Sequence, residues 1–453
     1  MTKNKHKTAK NDSLQTNLER KVSNLFVPLE IFIQKQATAA LLLIAATIIA
    51  LILANLFQTN PIAYIAEKKI GFLFEDGGFG LPIIEWINSG LMALFFFIIG
   101  LEIKRSILAG SLKDPRNVRL IIFTAIGGMV VPGALYSIIN YGTIGQQGWA
   151  IPMATDTAFA IGILSLLTRR VSAEISIFLA ALAIFDDIGA ILIISIFYTE
   201  NLHYLPLLQA LIPLVLLVFS NKMGITNGWV FSILGAILWY FIHSSGIHGT
   251  LAGLLVAFTI PARTYITQNS FIDKTRNLVN IFENEEDKEV SMLSSKSQHK
   301  LTKEMHNTMD IASTPLQRWE QLLINPVSII ILPLFALFNA GIILSSDAVT
   351  NILESRITWG IIIGLVVGKP LGIALFGYIG IKFKIGVLLP NISLKKLVGI
   401  GMMAGIGFTM SLFITTLGFE GQPELLDAAK IGIIIASVVS ALLGTIWFIT
   451  QSK

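Results

Sequence analysis

Long runs of apolar residues, separated by short polar stretches, repeat from residue 38 almost to the C-terminus. Crossing a hydrocarbon layer takes about 20 helical residues at a rise of about 1.5 Å each, and most of the runs approach that length. The pattern predicts twelve spans, at about 38–57, 87–103, 119–139, 150–167, 177–197, 204–220, 226–242, 248–261, 326–344, 357–381, 397–418 and 428–449. In the loop at 58–85, Asp76-Gly77 separates two apolar segments and predicts a small external β-hairpin. Residues 1–36 form a polar, Lys-rich tail without the apolar core of a cleavable signal. The apolar pattern stops again over 264–320, where ENEEDKE and SSKSQHK mark a polar cytoplasmic insertion, expected to be partly disordered. The division is thus a tail (1–36), spans 1–8 (37–263), the insertion (264–320) and spans 9–12 (321–453).

Composition agrees. Of 453 residues, 54% are hydrophobic and 13% charged, where a soluble domain carries about 25% charged residues. The net charge of +5 does not point to nucleic acid, because the basic residues sit in short loops beside apolar runs. With no cysteine, disulfides, thiolate metal sites and thiol nucleophiles are excluded. One set of short loops holds Lys104, Arg105, Lys113, Arg116, Arg119, Arg169, Arg170, Lys222, Lys382, Lys384, Lys395 and Lys396. The alternate set holds Lys68, Lys69, Arg356 and Lys430. Twelve against four puts the first set in the cytoplasm, makes the span count even and leaves both termini inside.

Four ionisable residues stand at membrane depth: Asp156 in span 4, adjacent Asp186 and Asp187 in span 5, and Lys369 in span 10. A charge there costs about 2.5–3.5 kcal/mol on insertion scales, so it marks function by default. One Asp and one Lys could be a pair that merely holds helices together. Three carboxylates against one amine leave excess negative charge, which favours a cation site. Consecutive helical residues diverge by about 100°, so one aspartate can bind an ion while the other pairs with Lys369. We read Asp187 as the more exposed ligand and Asp186 as the Lys369 partner. Carboxylate oxygens suit Na⁺, Li⁺ or H⁺ rather than soft metals.

Span 4 reads AIPMATDTAFAIG, where Pro152 lacks a backbone donor and Thr155 and Thr157 can satisfy freed carbonyls. Span 11 reads GMMAGIGFTMSLF, with Gly401, Gly405 and Gly407 before Thr409. Two interrupted spans in corresponding halves point to an inverted-repeat transporter with its site at the midplane. Spans 3–5 and 10–12 are spaced to be that pair. The fold class is therefore an all-α membrane protein of about 12 helices, with spans 4 and 11 interrupted and crossing. Asp156 and Lys369 would each offset one pair of helix ends. Gly364 and Gly368 serve either close helix packing or a functional role. Glu102 is either an attractor for entering cations or an interfacial charge, and His248 reads as a packing or capping residue.

At these residues the chain resembles the NhaA-type Na⁺/H⁺ antiporters of bacteria. The motifs are WINSGLMALFFFIIGLEIKR, GWAIPMATDTAFAIGILSLL, ALAIFDDIGAILIISIFY, GIHGTLAGLLVAF, LPLFALFNAGI, GKPLGI and GIGFTMSLFI. They cover almost every span, failing over the N-terminal tail and about 264–310. The resemblance implies breaks in spans 4 and 11, ion binding at Asp186 and Asp187, and supporting roles for Thr155, Asp156 and Lys369. It implies a homodimer formed partly through the hairpin after span 1, and a multi-pass protein of the cell (inner) membrane. Two places depart from the family. Ser106 stands where a second glutamate is usual, and RWEQLLINP keeps only Glu320 of an acidic and imidazole cluster. Both places, with Glu102, belong to the family's pH response, so the activation pH does not carry over.

The expected activity is electrogenic extrusion of Na⁺ (or Li⁺) in exchange for protons, regulating internal pH and sodium, with no cofactor beyond the transported ions. An intramembrane aspartyl protease would need its aspartates on separate, facing helices. A solute symporter would need a roomier polar cleft, and a channel would conduct without opposing protons.

Overall fold

A backbone N–H or C=O in hydrocarbon has no water to bond, which leaves helices or closed barrels, and apolar runs of about 20 residues select helices. A computed structural model describes residues 36–56, 61–74, 77–109, 115–167, 171–199, 202–264, 266–283, 296–343, 354–389 and 391–451. In order these form α1 (Gln36–Leu56), α2 (Pro61–Ala66), β1 (Lys69–Phe74), β2 (Gly77–Pro82), α3 (Ile83–Leu108), α4 (Pro115–Ile139), a 3₁₀ segment (Ile144–Met153), α5 (Thr157–Leu166) and α6 (Ala173–Phe197). There follow α7 (Tyr204–Lys222), α8 (Gly228–Ser244), α9 (Thr250–Thr259), α10 (Gln268–Glu283), α11 (Lys296–Ala312), α12 (Pro315–Asn339) and α13 (Arg356–Lys382). The chain ends with α14 (Leu394–Ala404), α15 (Phe408–Gly418) and α16 (Pro423–Gln451). Among the described residues, eight continuous helices are long and apolar enough to cross a membrane. Two more pairs qualify together but are bent, by 44° between the 3₁₀ segment and α5 and by 53° between α14 and α15. α8 and α9 are shorter apolar helices.

Close packing explains many of the glycines. α4 lies along α13 so tightly that a Cβ on Gly127 would strike the Gly372 carbonyl, and a Cβ on Gly372 the Gly127 carbonyl. Gly364 and Gly368 face Pro152 and Pro132, so of the two readings for these glycines the close-packing one describes their surroundings. α3 and α9 meet in the same way, with Gly253 against the Ala93 carbonyl. Small residues permit this approach where lipid supplies no hydrophobic drive between helices. α3, α12 and α13 each contain a π-turn, at Trp86–Leu91, Val327–Ile331 and Gly364–Gly368.

The predicted hairpin is present: β1 and β2 pair antiparallel, from Lys69 with Pro82 to Phe74 with Gly77. Gly77 therefore belongs to a strand; Asp76 lies outside the described residues, as do Lys113, Arg169, Arg170 and the tail before residue 36. Two charges counted as loop residues are structural. Lys104 donates to the carbonyls of Phe258, at 2.6 Å, and Ile260, at 2.5 Å, closing the end of α9. Lys430 lies within α16, buried, and donates to the Gly341 carbonyl at 3.2 Å.

The polar insertion carries more order than its composition suggests. α10 and α11 pack on each other, burying Leu278 and Leu301. Composition averages out the helical spacing of these few apolar positions, which is what forms the seam. Its C-terminal end is also helix, because α12 begins at Pro315 behind a Thr314–Gln317 capping box. The Leu316 N–H bonds the Pro261 carbonyl at 3.2 Å, which ties the base of the insertion together.

Gly372→Val should force α4 and α13 apart and lower stability by roughly 1–3 kcal/mol. A thermal melt in detergent checks this, with Gly80→Ala, where nothing lies within 4 Å of the new methyl, unchanged.

Candidate ion-binding site

Breaking a helix at membrane depth leaves N–H and C=O groups that must find partners inside the protein. Between the 3₁₀ segment and α5 the chain is extended over 154–156, and between α14 and α15 it is non-helical at Ile406 and Gly407. The two links are joined by the Asp156 N–H, which donates to the Ile406 carbonyl at 2.7 Å. The Asp156 carboxylate then caps both following half-helices. Its Oδ1 accepts from the Phe159 N–H at 3.0 Å. Its Oδ2 accepts from the Thr409 N–H at 3.0 Å and the Thr409 hydroxyl at 2.5 Å. A negative group there also meets the positive ends of two helix dipoles. Ser411 Oγ donates to the Ile151 carbonyl at 2.8 Å, serving the end of the 3₁₀ segment.

One residue earlier, Thr155 links this crossing to the charged pair. Its hydroxyl lies 2.9 Å from the Ala404 carbonyl and 2.8 Å from Asp186 Oδ2, and it accepts from Lys369 Nζ at 2.6 Å. Lys369 Nζ also forms an ion pair with Asp186 Oδ2. α13 delivers this amine directly after the Gly364–Gly368 π-turn, a kind of irregularity frequent at functional sites. Lys369 is bonded to Thr155 and Asp186; it reaches the end of α14 only through Thr155.

Asp187 is next on α6, yet its surroundings differ. It is buried, 1% exposed against 0% for Asp186, so the expected difference in exposure is absent. The difference lies in partners. Asp186 has the ion pair, whereas Asp187 Oδ1 is buried with no hydrogen-bond partner. Asp186 Oδ1 is likewise unpartnered. Isolated carboxylate oxygens in a dry interior are unfavourable unless paired or coordinated, and two such oxygens on adjacent residues suit a small hard cation. Among the described residues no three His, Cys, Asp or Glu side chains gather as a metal cluster.

Glu102 and Glu320 come together at one end of α3. Arg105 Nη2 lies 3.3 Å from Glu320 Oε1, and Glu102 has both Glu320 and Arg105 as charged neighbours. His248 packs with Nε2 3.3 Å from the Tyr198 carbonyl.

The family model described as Na⁺/H⁺ antiporter 1 matches residues 30–448. The chain belongs to the NhaA-type Na⁺/H⁺ antiporter family. It is 42% identical to the Na⁺/H⁺ antiporter NhaA of Sulfurimonas denitrificans, over 96% of this chain and 98% of that protein. It is 38% identical to NhaA 2 of Psychromonas ingrahamii, over 97% and 93%. With NhaA 1 of Shewanella denitrificans it shares 39% over 95% of each. Its fold is similar to the solved sodium proton antiporter MjNhaP1 of Methanocaldococcus jannaschii, with TM-score 0.51 and 16% identity, covering 95% of this chain and all of that one. The NhaA family is one of transporters, and none of these relatives supports a symporter.

Within this NhaA-type chain the structure gathers Thr155, Asp156, Asp186, Asp187 and Lys369 in one region and places Glu102 and Glu320 in another. Sequence reasoning missed Thr409 and Ser411 as working parts. Their signal was present, since hydroxyls directly after a glycine break are the side chains available to bond freed backbone. Thr409→Val should cost roughly 1–2 kcal/mol by removing one donor to Asp156. Thermal melting in detergent reads this, with a smaller loss for Thr416→Val, whose hydroxyl only bonds the Phe413 carbonyl of its own helix.

Proposed function

We propose that this Na⁺/H⁺ antiporter binds Na⁺ or Li⁺ at Asp187 with help from Asp186, and that the same carboxylates carry protons in the return direction. One observation carries this reading: Lys369 engages Asp186 and leaves buried Asp187 without a partner. Competition between cation and proton at one site makes the exchange obligatory. Release of protons by both Asp187 and the Asp186–Lys369 pair would move more than one proton per sodium, which makes the cycle electrogenic. Extrusion of sodium driven by the proton gradient would regulate internal pH and sodium.

The finer architecture belongs to this proposal. Eight continuous helices, two bent pairs and two shorter apolar helices support twelve spans. The flanking of each bent pair, by α4 and α6 and by α13 and α16, supports inverted repeats with the breaks in spans 4 and 11. Rocking of this repeat bundle would expose the site alternately to the two sides. Basic short loops support cytoplasmic termini in the inner membrane. A homodimer joined partly through the β1–β2 hairpin fits the family, and no resident cofactor is called for. Glu102 and Glu320, with Arg105 between their charges, would form a cation entrance and pH-responsive cluster.

Everted vesicles with a pH-sensitive dye should show sodium-induced dequenching that Asp187→Asn abolishes; a persisting signal rejects the site. Lys369→Ala should lose activity, and retention in Lys369→Arg would assign Lys369 a structural charge rather than a proton-releasing one.

A further inference from the structure

Along α15 the polar contacts of the crossing give way to rings. Thr409 turns to Asp156, and Phe413 follows four residues later on the same face, one turn farther from the break. The Phe413 ring meets Phe96 of α3 at a centroid distance of 5.7 Å and Phe335 of α12 at 6.2 Å, separations at which aromatic rings attract. All three rings are buried. The partners belong to different parts of the protein. α15 lies in the repeat bundle of α4–α6 and α13–α16, whereas α3 and α12 lie outside it. These two are clamped to each other by a reciprocal pair of amides. Asn88 Nδ2 donates to Asn339 Oδ1 at 3.1 Å, and Asn339 Nδ2 to Asn88 Oδ1 at 2.9 Å. Asn339 is about one turn from Phe335 and Asn88 about two turns from Phe96, so the pair fixes the two rings between which Phe413 sits.

A second contact crosses the same boundary. Lys430 of α16, a bundle helix, donates to the Gly341 carbonyl just beyond α12. The next carbonyl, that of Ile342, accepts from Asn55 Nδ2 of α1 at 2.8 Å, so Lys430 grips a segment anchored outside the bundle. Both contacts lie away from the basic loops. α3 runs from Phe96 toward Glu102 and Arg105. α14 enters the crossing from Lys395 and Lys396, and α15 carries Phe413 onward to the opposite side. In the orientation proposed above, that is the outer side. A hydrated cation leaving the crossing along α15 would meet ring carbons with no polar atom to replace its water. Apolar constrictions of this kind close a path by excluding water.

We propose that Phe413, seated between Phe96 and Phe335, is the outer gate of the exchanger, and that Lys430 on the Gly341 carbonyl is its latch. Movement of the bundle against α3 and α12 carries Phe413 out from between the two fixed rings and draws Lys430 off its carbonyl. The path along α15 then opens to the outside. Return of the bundle restores both contacts together, one apolar and one polar, so the seal closes without any contact to the transported ion. That the rings seal one side in this structure rests on their packing; that they open rests on the rocking cycle proposed above.

The chain has no cysteine, so a single Asp187→Cys reports on the site without background. The probe is a membrane-impermeant, positively charged thiosulfonate, applied to right-side-out or everted vesicles. With Phe413 in place, reaction from outside should be slow. Adding Phe413→Ala should raise the outside rate about tenfold while the rate in everted vesicles stays within about twofold. Phe413→Leu, a milder truncation, should raise the outside rate in the same sense and serves if Phe413→Ala does not fold. Phe376→Ala removes a ring that packs at 5.1 Å on Phe123 within the bundle, and should leave both rates unchanged. Fast outside reaction with Phe413 present, an unchanged outside rate after its truncation, or equal rises from both faces overturns the gate. Lys430→Met leaves every ring in place and should also raise the outside rate; no change overturns the latch. The readout needs no transport, so loss of sodium-coupled proton flux in native protein would reject the antiport reading and leave the outer seal standing.

Discussion

Backbone polar groups released inside a membrane must be satisfied by the protein itself, and Asp156 satisfies them for two helices at once. Its oxygens close the starts of α5 and α15, and its own N–H joins the two extended links. Without such a group the crossing would leave unpaired N–H groups facing apolar side chains, at several kcal/mol each. The crossing in turn places Thr155 against Ala404, and Thr155 places the Asp186–Lys369 pair. The chemistry proposed for Asp187 would depend on this chain of contacts, although Asp187 takes no part in it.

The division of labour between two adjacent aspartates follows from helix geometry. About 100° separates successive side chains, so α6 can turn one carboxylate toward α13 and leave the other without a protein donor. Both are equally removed from solvent, so exposure does not distinguish them. The presence or absence of an ammonium does. That arrangement suits exchange, since a fully paired carboxylate would bind cation poorly and an unpaired one held dry favours taking either a proton or a metal ion.

Much of this was legible in the sequence, and the reasons are specific. The apolar runs located the eight long helices and the two bent pairs, since hydrocarbon thickness sets their length. Adjacent Asp186-Asp187 and isolated Lys369 stood out because charge is costly at that depth. Pro152 and the Gly405–Gly407 stretch located the breaks. What escaped was relational. That Asp156 caps two helices requires knowing that residue 409 lies beside it, a contact 253 positions away. Lys104 and Lys430 read as loop charges because their carbonyl partners are distant in sequence, Phe258 in α9 and Gly341 just beyond α12. The π-turn before Lys369 leaves no local mark beyond Gly364, Gly368 and Pro370. The α10–α11 seam was hidden by averaging over a polar segment.

Cation and proton, on the proposal above, share Asp187. Adding Na⁺ to purified protein in weakly buffered detergent measures this directly. A shared site should give acidification that saturates with sodium and is lost in Asp187→Asn. Sodium binding with no proton release, or the same release from Asp187→Asn, would contradict it.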